Sequence, residues 1–421
     1  MATKRHSSTA LLHKNHNNHN HNNMVKVRRK NKASLLGPGG RLHRILMLGL
    51  GLVVTAMVLP QLGDDGGYTN TMTITTKKAA TEVSYQTPLA YGTKSGGTQT
   101  AELVEQAIKA GFRHIVTGGH HASHNETGVG YGWKASGIQR QKLFLQTCFV
   151  PWDGTDFQNQ PKYDPKTKPS TIEDQVKLSI ETSLQNLQTE YIDAVVFHNF
   201  RAKLFDFDQT MKAWRILEEY VAKGTIRYLG ATSVHNQNRW QQWINASKIP
   251  PTILQNRFHS NRQYDVQNQH FFYHPTTTTS SSSPSSSSLQ SPQPLQLQRF
   301  WLLNGSSGQG GANKEMAKKK GITPQQLMLG FVMSLGKTTC LVGTHNLQHM
   351  KDDIVMSKCY PYVFDSQEER IEYATKLRFK PSDWSDYAEI NNNDDDNAAA
   401  FKVCEAKVKA SLRDDGLLEH F

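Results

Sequence analysis

Tyr191-Ile192-Asp193-Ala194-Val195-Val196-Phe197-His198 is an apolar run broken only by Asp193 and closed by a histidine. It follows directly on a segment of different period, in which Ile172, Val176, Ile180, Leu184 and Leu187 recur at spacings of four and three. The run reads as a buried strand and the segment as an amphipathic helix, with Ser170-Thr171-Ile172-Glu173 in the form of a capping box. A helix from Gln209 to Ala222, ended near Gly224, leads to a strand from Thr225 to Ala231. Upstream, the same rhythm gives a helical face in Thr100 to Gly111 and strands at Arg113 to Thr117 and Leu143 to Phe149. Downstream it gives strands at Thr252 to Gln255, Leu297 to Leu303 and Thr339 to Val342, and a helix opened by Thr323-Pro324. Strand and helix alternating over roughly 270 residues, with apolar strands, argue for a parallel sheet covered by helices. Roughly eight such units fit a closed (β/α)8 TIM barrel, whose usual length is about 250 residues. An open doubly wound sheet is the alternative, and the absence of a GxGxxG after the first strand counts against it.

The formal net charge of +12 invites a nucleic-acid reading. Residues 1–44, however, hold ten Lys or Arg and no acid, which leaves 38 basic against 36 acidic side chains elsewhere. A nearly neutral body excludes a broad phosphate-binding face, and no nucleic-acid partner is expected. The arm, with its His/Asn tract from His13 to Asn23, is too polar to fold. Ile45 to Leu62 carries no charge and as a helix spans roughly 27 Å, close to a bilayer core. With all the positive charge on its N-terminal side, it reads as a transmembrane signal anchor of type II, with residues 1–44 cytoplasmic and the body in the lumen of the endoplasmic reticulum or Golgi. A cleaved signal peptide and an organelle transit sequence are the alternatives. Residues 63–85 read as a polar stalk, 86–358 as the barrel and 359–421 as a C-terminal extension, in which Phe401, Val403, Cys404, Val408 and Leu412 suggest an amphipathic helix. A Ser/Thr-rich insert at 275–294 cannot bury enough surface to order itself, and the acidic run Asn391 to Asp396 marks a second break. Cys148, Cys340, Cys359 and Cys404 have no zinc spacing and leave three disulfide connectivities open. Sequons stand at Asn125-Glu126-Thr127, Asn245-Ala246-Ser247 and Asn304-Gly305-Ser306.

Several short stretches carry a resemblance: Pro88-Leu89-Ala90-Tyr91-Gly92-Thr93, Ala110-Gly111-Phe112-Arg113-His114-Ile115, Asn125-Glu126 with Val129-Gly130, Ser183 to Asp193, His198, Gly224 to Gly230 and Gln255-Asn256-Arg257. In order and spacing they resemble the aldo/keto reductase family from about Pro88 to Ile354. The resemblance implies a (β/α)8 barrel, an NADPH cofactor bound without a Rossmann fold, and reduction of a small-molecule aldehyde or ketone. It also implies a Tyr proton donor, a Lys that lowers the Tyr pKa, an Asp paired to the Lys, and a His that orients the carbonyl. Hydride arriving at a carbonyl carbon creates an oxyanion, which needs such a donor.

Carried over position by position, the Asp, Tyr and Lys become Val116, His124 and Cys148, while His198 stands at the position of the His. His124 is then the candidate acid, since a reference pKa near 6.5 suits proton donation without help from a lysine. For the cofactor, the resemblance implies Thr232-Ser233 and Gln255 at the nicotinamide amide and Trp301 stacked on its ring. It implies Gly343, Thr344 and His349 near the 2'-phosphate, with Lys351 close by and backbone amides from Gly343 to Asn346 as further phosphate donors. The same substitutions also fit a non-catalytic, membrane-anchored barrel kept as a binding or scaffold module. Two further readings are a zinc site from His124, Cys148 and His198 with His120 and His121, and a Cys148/His nucleophilic pair; neither has a local signature, and no metal is expected.

Overall fold

The computed structural model describes residues 87–94, 96–120, 122–152, 169, 171–198, 206–273, 296–303, 311–379 and 397–414. The chain divides into two units, Met1–Thr75 and Thr76–Phe421, and every described residue belongs to the second. The predicted arm, membrane anchor, stalk, Ser/Thr insert, acidic run and third sequon lie outside the described residues. Among the described residues, no helix is long and apolar enough to cross a membrane.

Eight parallel strands close into a barrel in chain order, with β8 returning to β1. They are β1 (Leu89–Gly92), β2 (His114–Val116), β3 (Phe144–Phe149), β4 (Ile192–His198), β5 (Ile226–Thr232), β6 (Ile253–Arg257), β7 (Gln296–Phe300) and β8 (Thr338–Val342). One helix follows each of the first six: α1 (Thr100–Lys109), α2 (Glu126–Ala135), α3 (Ile172–Leu187), α4 (Phe207–Ala222), α5 (Gln237–Ala246) and α6 (Val266–Tyr273). Between β7 and β8 come α7 (Gly311–Lys320) and α8 (Pro324–Ser334), and after β8 come α9 (Leu347–Cys359), α10 (Gln367–Lys376) and α11 (Asn397–Asp414). The closed barrel is the predicted fold, and the open doubly wound alternative is set aside.

Local chemistry fixes where these helices start. The Thr171 hydroxyl accepts from the Asp174 N–H at 3.1 Å, so α3 is capped one residue later than the predicted Ser170. Asp206 and Gln209 form a reciprocal capping box, which starts α4 at Phe207, two residues before the predicted Gln209. Thr323 and Gln326 do the same around Pro324 for α8, as the sequence suggests.

Successive strand side chains face opposite ways. Phe144 and Cys148 of β3, Ala194 and Val196 of β4 and Ile253 of β6 form one apolar cluster. Their neighbours Leu145, Phe149, Val195, Phe197 and Leu254 join the helices in the main core, where Trp214, Trp240 and Trp243 are fully buried. Contrary to the expectation of apolar strands, β7 reads Gln-Leu-Gln-Arg-Phe, and its glutamines are buried. Gln146 and Gln298 exchange amide hydrogen bonds of 2.7 Å in both directions. Gln298 also accepts from Gln255 at 3.0 Å, and His114 Nε2 lies 3.2 Å from Gln146 Oε1. Matching each amide group avoids a cost of about 1–3 kcal/mol per buried unsatisfied atom.

Two buried carboxylates brace the outside of the barrel. Glu126, in the first turn of α2, accepts from Ser183 of α3 at 3.0 Å and from Thr147 of β3. Asp193 accepts from the Leu145 amide at 2.8 Å and pairs with Arg140 at 2.6 Å and Arg227 at 3.2 Å. The two guanidinium groups each lie 4.1 Å from the Tyr191 ring. These contacts account for the Asn-Glu and Tyr-Ile-Asp motifs without any role in chemistry.

Of the three possible disulfide connectivities, the structure contains the bridge Cys359–Cys404, with Cys148 and Cys340 buried and unbridged. The bridge ties α9 to α11, whose Phe401 and Leu412 are buried. Val403 was expected on the same face but is 53% exposed, because two residues advance about 200° around a helix and carry it opposite Phe401. Cys404→Ser should lower the unfolding free energy by about 2–4 kcal/mol, measured by urea denaturation of the oxidised protein.

Candidate functional site

Strand register assembles the C-terminal rim of the barrel: His198 is the partner of Thr232, Thr232 of Gln255, and Arg257 of Phe300. Over this rim opens a cavity of about 1050 Å3, at the upper end of the roughly 300–1,000 Å3 usual for small-molecule sites. The predicted pair His124 and His198 line it. So do all the predicted cofactor positions: Thr232, Ser233, Gln255, Trp301, Gly343, Thr344 and His349.

At one end of the cavity three imidazoles gather. The His198 ring stands perpendicular to that of His120 at 5.1 Å, and His120 lies 6.4 Å from His124. His124 Nδ1 is 3.0 Å from the Ser123 hydroxyl. Burial, then the charges of His120, Arg257 and His124, push His198 down to about 3. At neutral pH His198 is therefore a neutral hydrogen-bonding group rather than an acid. Val116 and Cys148 line the cavity nearby, each 6% exposed. The Cys148 thiol is 3.5 Å from the Phe149 carbonyl. No tyrosine is among the described residues lining the cavity, and the lysine there is the exposed Lys94. Among the described residues, which leave out His121, no three His, Cys, Asp or Glu side chains converge on a metal position.

Several predicted cofactor contacts take a different form from the one expected. The Thr232 hydroxyl donates to the Gln255 carbonyl at 2.8 Å, so its proton is committed within the rim. Gln255 directs its amide nitrogen to Gln298, which leaves its oxygen for a ligand. Ser233 and Trp301 both have left-handed backbones, at φ 63° and 66°. One face of the Trp301 ring is covered by Arg257 at 4.2 Å, so stacking on a ligand is confined to the other. Asn346 caps α9 by accepting from the amides of Gln348 at 2.8 Å and His349 at 3.2 Å. The Asn346 amide in turn donates to the Thr344 hydroxyl at 3.1 Å. Of the amides expected to hold phosphate, Gly343 to Asn346, that of Asn346 is thus taken by the Thr344 hydroxyl, and the cap takes the next two in α9. Lys351, expected near them, is buried and does not line the cavity.

Residues 88–273 match the model of the Aldo/keto reductase family. The barrel belongs to the aldo/keto reductase family. Methylglyoxal reductase DkgA of Yersinia pestis is 31% identical over 172 residues, covering 41% of this chain and 53% of that protein. The chain spans about half the length of the curated relatives it matches. The crystal structure of an aldo/keto reductase from Brucella melitensis aligns with a TM-score of 0.52 at 21% identity, covering 70% of this chain and all of that one. A Gox0644 mutant in complex with NADPH aligns with a TM-score of 0.51 at 16% identity, covering 69% of this chain and 89% of that one. At these identities the structural likenesses establish the fold.

The aldo/keto reductase rim also holds residues to which sequence reasoning gave no role. Thr93 and Thr117, each 4% exposed, line the cavity with hydroxyls that have no hydrogen-bond partner among the described residues. Asp353 lines the far end, one helical turn after His349 on α9, a spacing that could have suggested a shared face. Burial, with the neighbouring Asp352 charge, pushes its carboxyl up to about 8. A carboxyl raised in the folded state stabilises at low pH, and that contribution is lost as pH rises from about 4 through about 8. Asp353→Asn should therefore flatten the fall of thermal midpoint between pH 5 and pH 8.5 in calorimetry. His198 has the opposite sign: its folded pKa is depressed, so its contribution is present above about 6.5 and lost as pH falls toward 3. Its ring proton shifts should stay constant between pH 8 and pH 5 in NMR; a midpoint near 6.5 would contradict the buried, neutral assignment.

Proposed function

We propose that the barrel binds NADPH and reduces a small carbonyl compound, with His198 orienting the carbonyl and His124 delivering the proton. The observation that carries this reading is that His124, His198 and the amide reader Gln255 all line one cavity over the barrel's C-terminal rim. The residues present fit a polar nucleotide. Among the described residues, Thr93 and Thr117 offer unmatched hydroxyls and Gln255 an oriented side-chain oxygen. Thr232, Ser233, Gln255 and Trp301 would hold the nicotinamide half, and Gly343, Thr344 and His349 the other. When bound, NADPH supplies the hydride. The protein's task is then the negative charge that develops on the carbonyl oxygen. Neutral His198 donates a hydrogen bond to that oxygen. His124, with Nδ1 held by Ser123, presents Nε2 for proton delivery. The second reading, a barrel that binds without turnover, is favoured by Val116 and Cys148, which line the cavity where the resemblance implies a carboxylate and an ammonium group.

Titration of the full chain with NADPH, followed by nicotinamide fluorescence, should saturate, and methylglyoxal, the substrate named for the Yersinia relative, should then be turned over. His124→Ala should lower kcat by about 10²-fold or more with cofactor affinity unchanged. Saturable binding without turnover selects the second reading; no binding at millimolar NADPH removes the first.

We further infer a single-pass type II anchor at residues 45–62 with the barrel lumenal. The charge asymmetry around that segment and the Cys359–Cys404 bridge, suited to an oxidising compartment, support this topology. Asn125 uses its side chain as the α2 cap and donates to Gly97, whereas Asn245 is exposed. Glycosidase treatment of membrane-bound protein should shift its mass, Asn245→Gln should remove that shift, and protease added outside sealed vesicles should spare the barrel.

A further inference from the structure

Arg257 lines the cavity and has no task in the proposed reaction. It stands two positions after Gln255 on β6, so strand alternation turns both side chains toward the ligand space, roughly 7 Å apart along the strand. Its guanidinium lies 4.2 Å over the Trp301 ring and 6.0 Å from the Phe300 ring. Among the described residues no carboxylate pairs with it; the charged neighbour that acts on it is Arg262, which together with burial lowers its pKa. The acids of the cavity, Asp352 and Asp353, belong to α9, beyond β8 and two strands from β6.

The surroundings hold this cation in place. Trp301 adopts a left-handed backbone at φ 66°, a conformation that disfavours bulky side chains and is found at ligand clamps. The His259 ring stands nearly perpendicular to the indole at 6.4 Å. Held over the indole, the guanidinium has its N–H groups to offer a planar anion, the partner that carboxylates supply in a bidentate pair. On the same side of the cavity His198 is kept neutral, in part by the Arg257 charge. A bound anion would offset a local excess of positive charge.

We propose that Arg257 is an anion-recognition residue and that the ligand of this cavity is a short oxo acid, its carboxylate paired with Arg257 and its carbonyl oxygen facing His198. The carbonyl half of this statement rests on the reductase reading, and the anion half rests on Arg257 alone.

The test is calorimetric binding of two probes to the full chain in detergent: phenylglyoxylate and its neutral isostere 2-oxo-2-phenylacetamide. The carboxylate should bind about tenfold more tightly or better. Arg257→Gln should erase the preference, and Arg257→Lys should keep part of it, as a point charge without the fork. Equal binding of the two probes, binding of neither, or a preference that survives Arg257→Gln would overturn the proposal. NADPH titrated into the same proteins separates the two readings. An acid preference without NADPH binding sinks the reductase and keeps the anion site. NADPH affinity that falls in step with Arg257→Gln assigns the cation to the cofactor instead and overturns the oxo-acid site.

Discussion

A reciprocal amide pair between Gln146 and Gln298 lies inside the barrel, and the orientation of the rim depends on it. Both side chains are fully buried, so each donor and acceptor must be matched within the protein. Gln298 then has its oxygen available to the Gln255 amide, and this turns the Gln255 oxygen toward the cavity. At the other end His114, pushed down by burial to about 4, meets Gln146 as a neutral ring. A polar chain thus runs from the start of β2 to the middle of β6 and β7, and no member can be made apolar alone without orphaning the next.

The same logic of complete matching operates outside the strands. Asp265 is buried, which alone would raise its pKa, yet His235, Arg299, Asn256 and Asn268 together hold it below the usual carboxylate value. Asn256 and Asn268 donate to it at 2.9 and 2.7 Å. Gln263, Tyr264 and Asp265 have consecutive left-handed backbones, at φ 49°, 53° and 57°. Such a run survives only where surroundings over-determine it, and the Asp265 contacts together with the Tyr264 hydroxyl on the Leu377 carbonyl do so. The segment after β6, which begins at Phe258, is therefore anchored on its outer side.

Periodicity made the barrel legible, because helix and strand periods depend only on which residues are apolar. The starts of α3 and α4 were less so: Thr171 rather than its neighbour Ser170 caps α3, and Asp206 caps α4 with Gln209 as its partner in the first turn. β7 was misjudged in character because its inward glutamines are matched by partners far away in sequence, Gln146 being 152 positions from Gln298. Each predicted site residue reached the cavity: His198, Thr232 and Gln255 from the strands, Ser233, Trp301, Gly343 and Thr344 just past strand ends, His124 from the loop before α2 and His349 from the first turn of α9. What sequence could not supply was the occupancy of each group: the Thr232 proton spent on Gln255, the α9 amides spent on Asn346, and the Trp301 face covered by Arg257.

The bridge between Cys359 and Cys404 lies where the two ends of the barrel meet. Its helix α11 brings Leu412 against Gly111, at the junction of α1 and β2, beside Ile354 of α9, while β8 pairs with β1. The last helix therefore straddles the seam between the first and last units of the barrel. With both cysteines on helices that follow β8, the bridge acts as a clasp that keeps α11 over the seam between the paired strands.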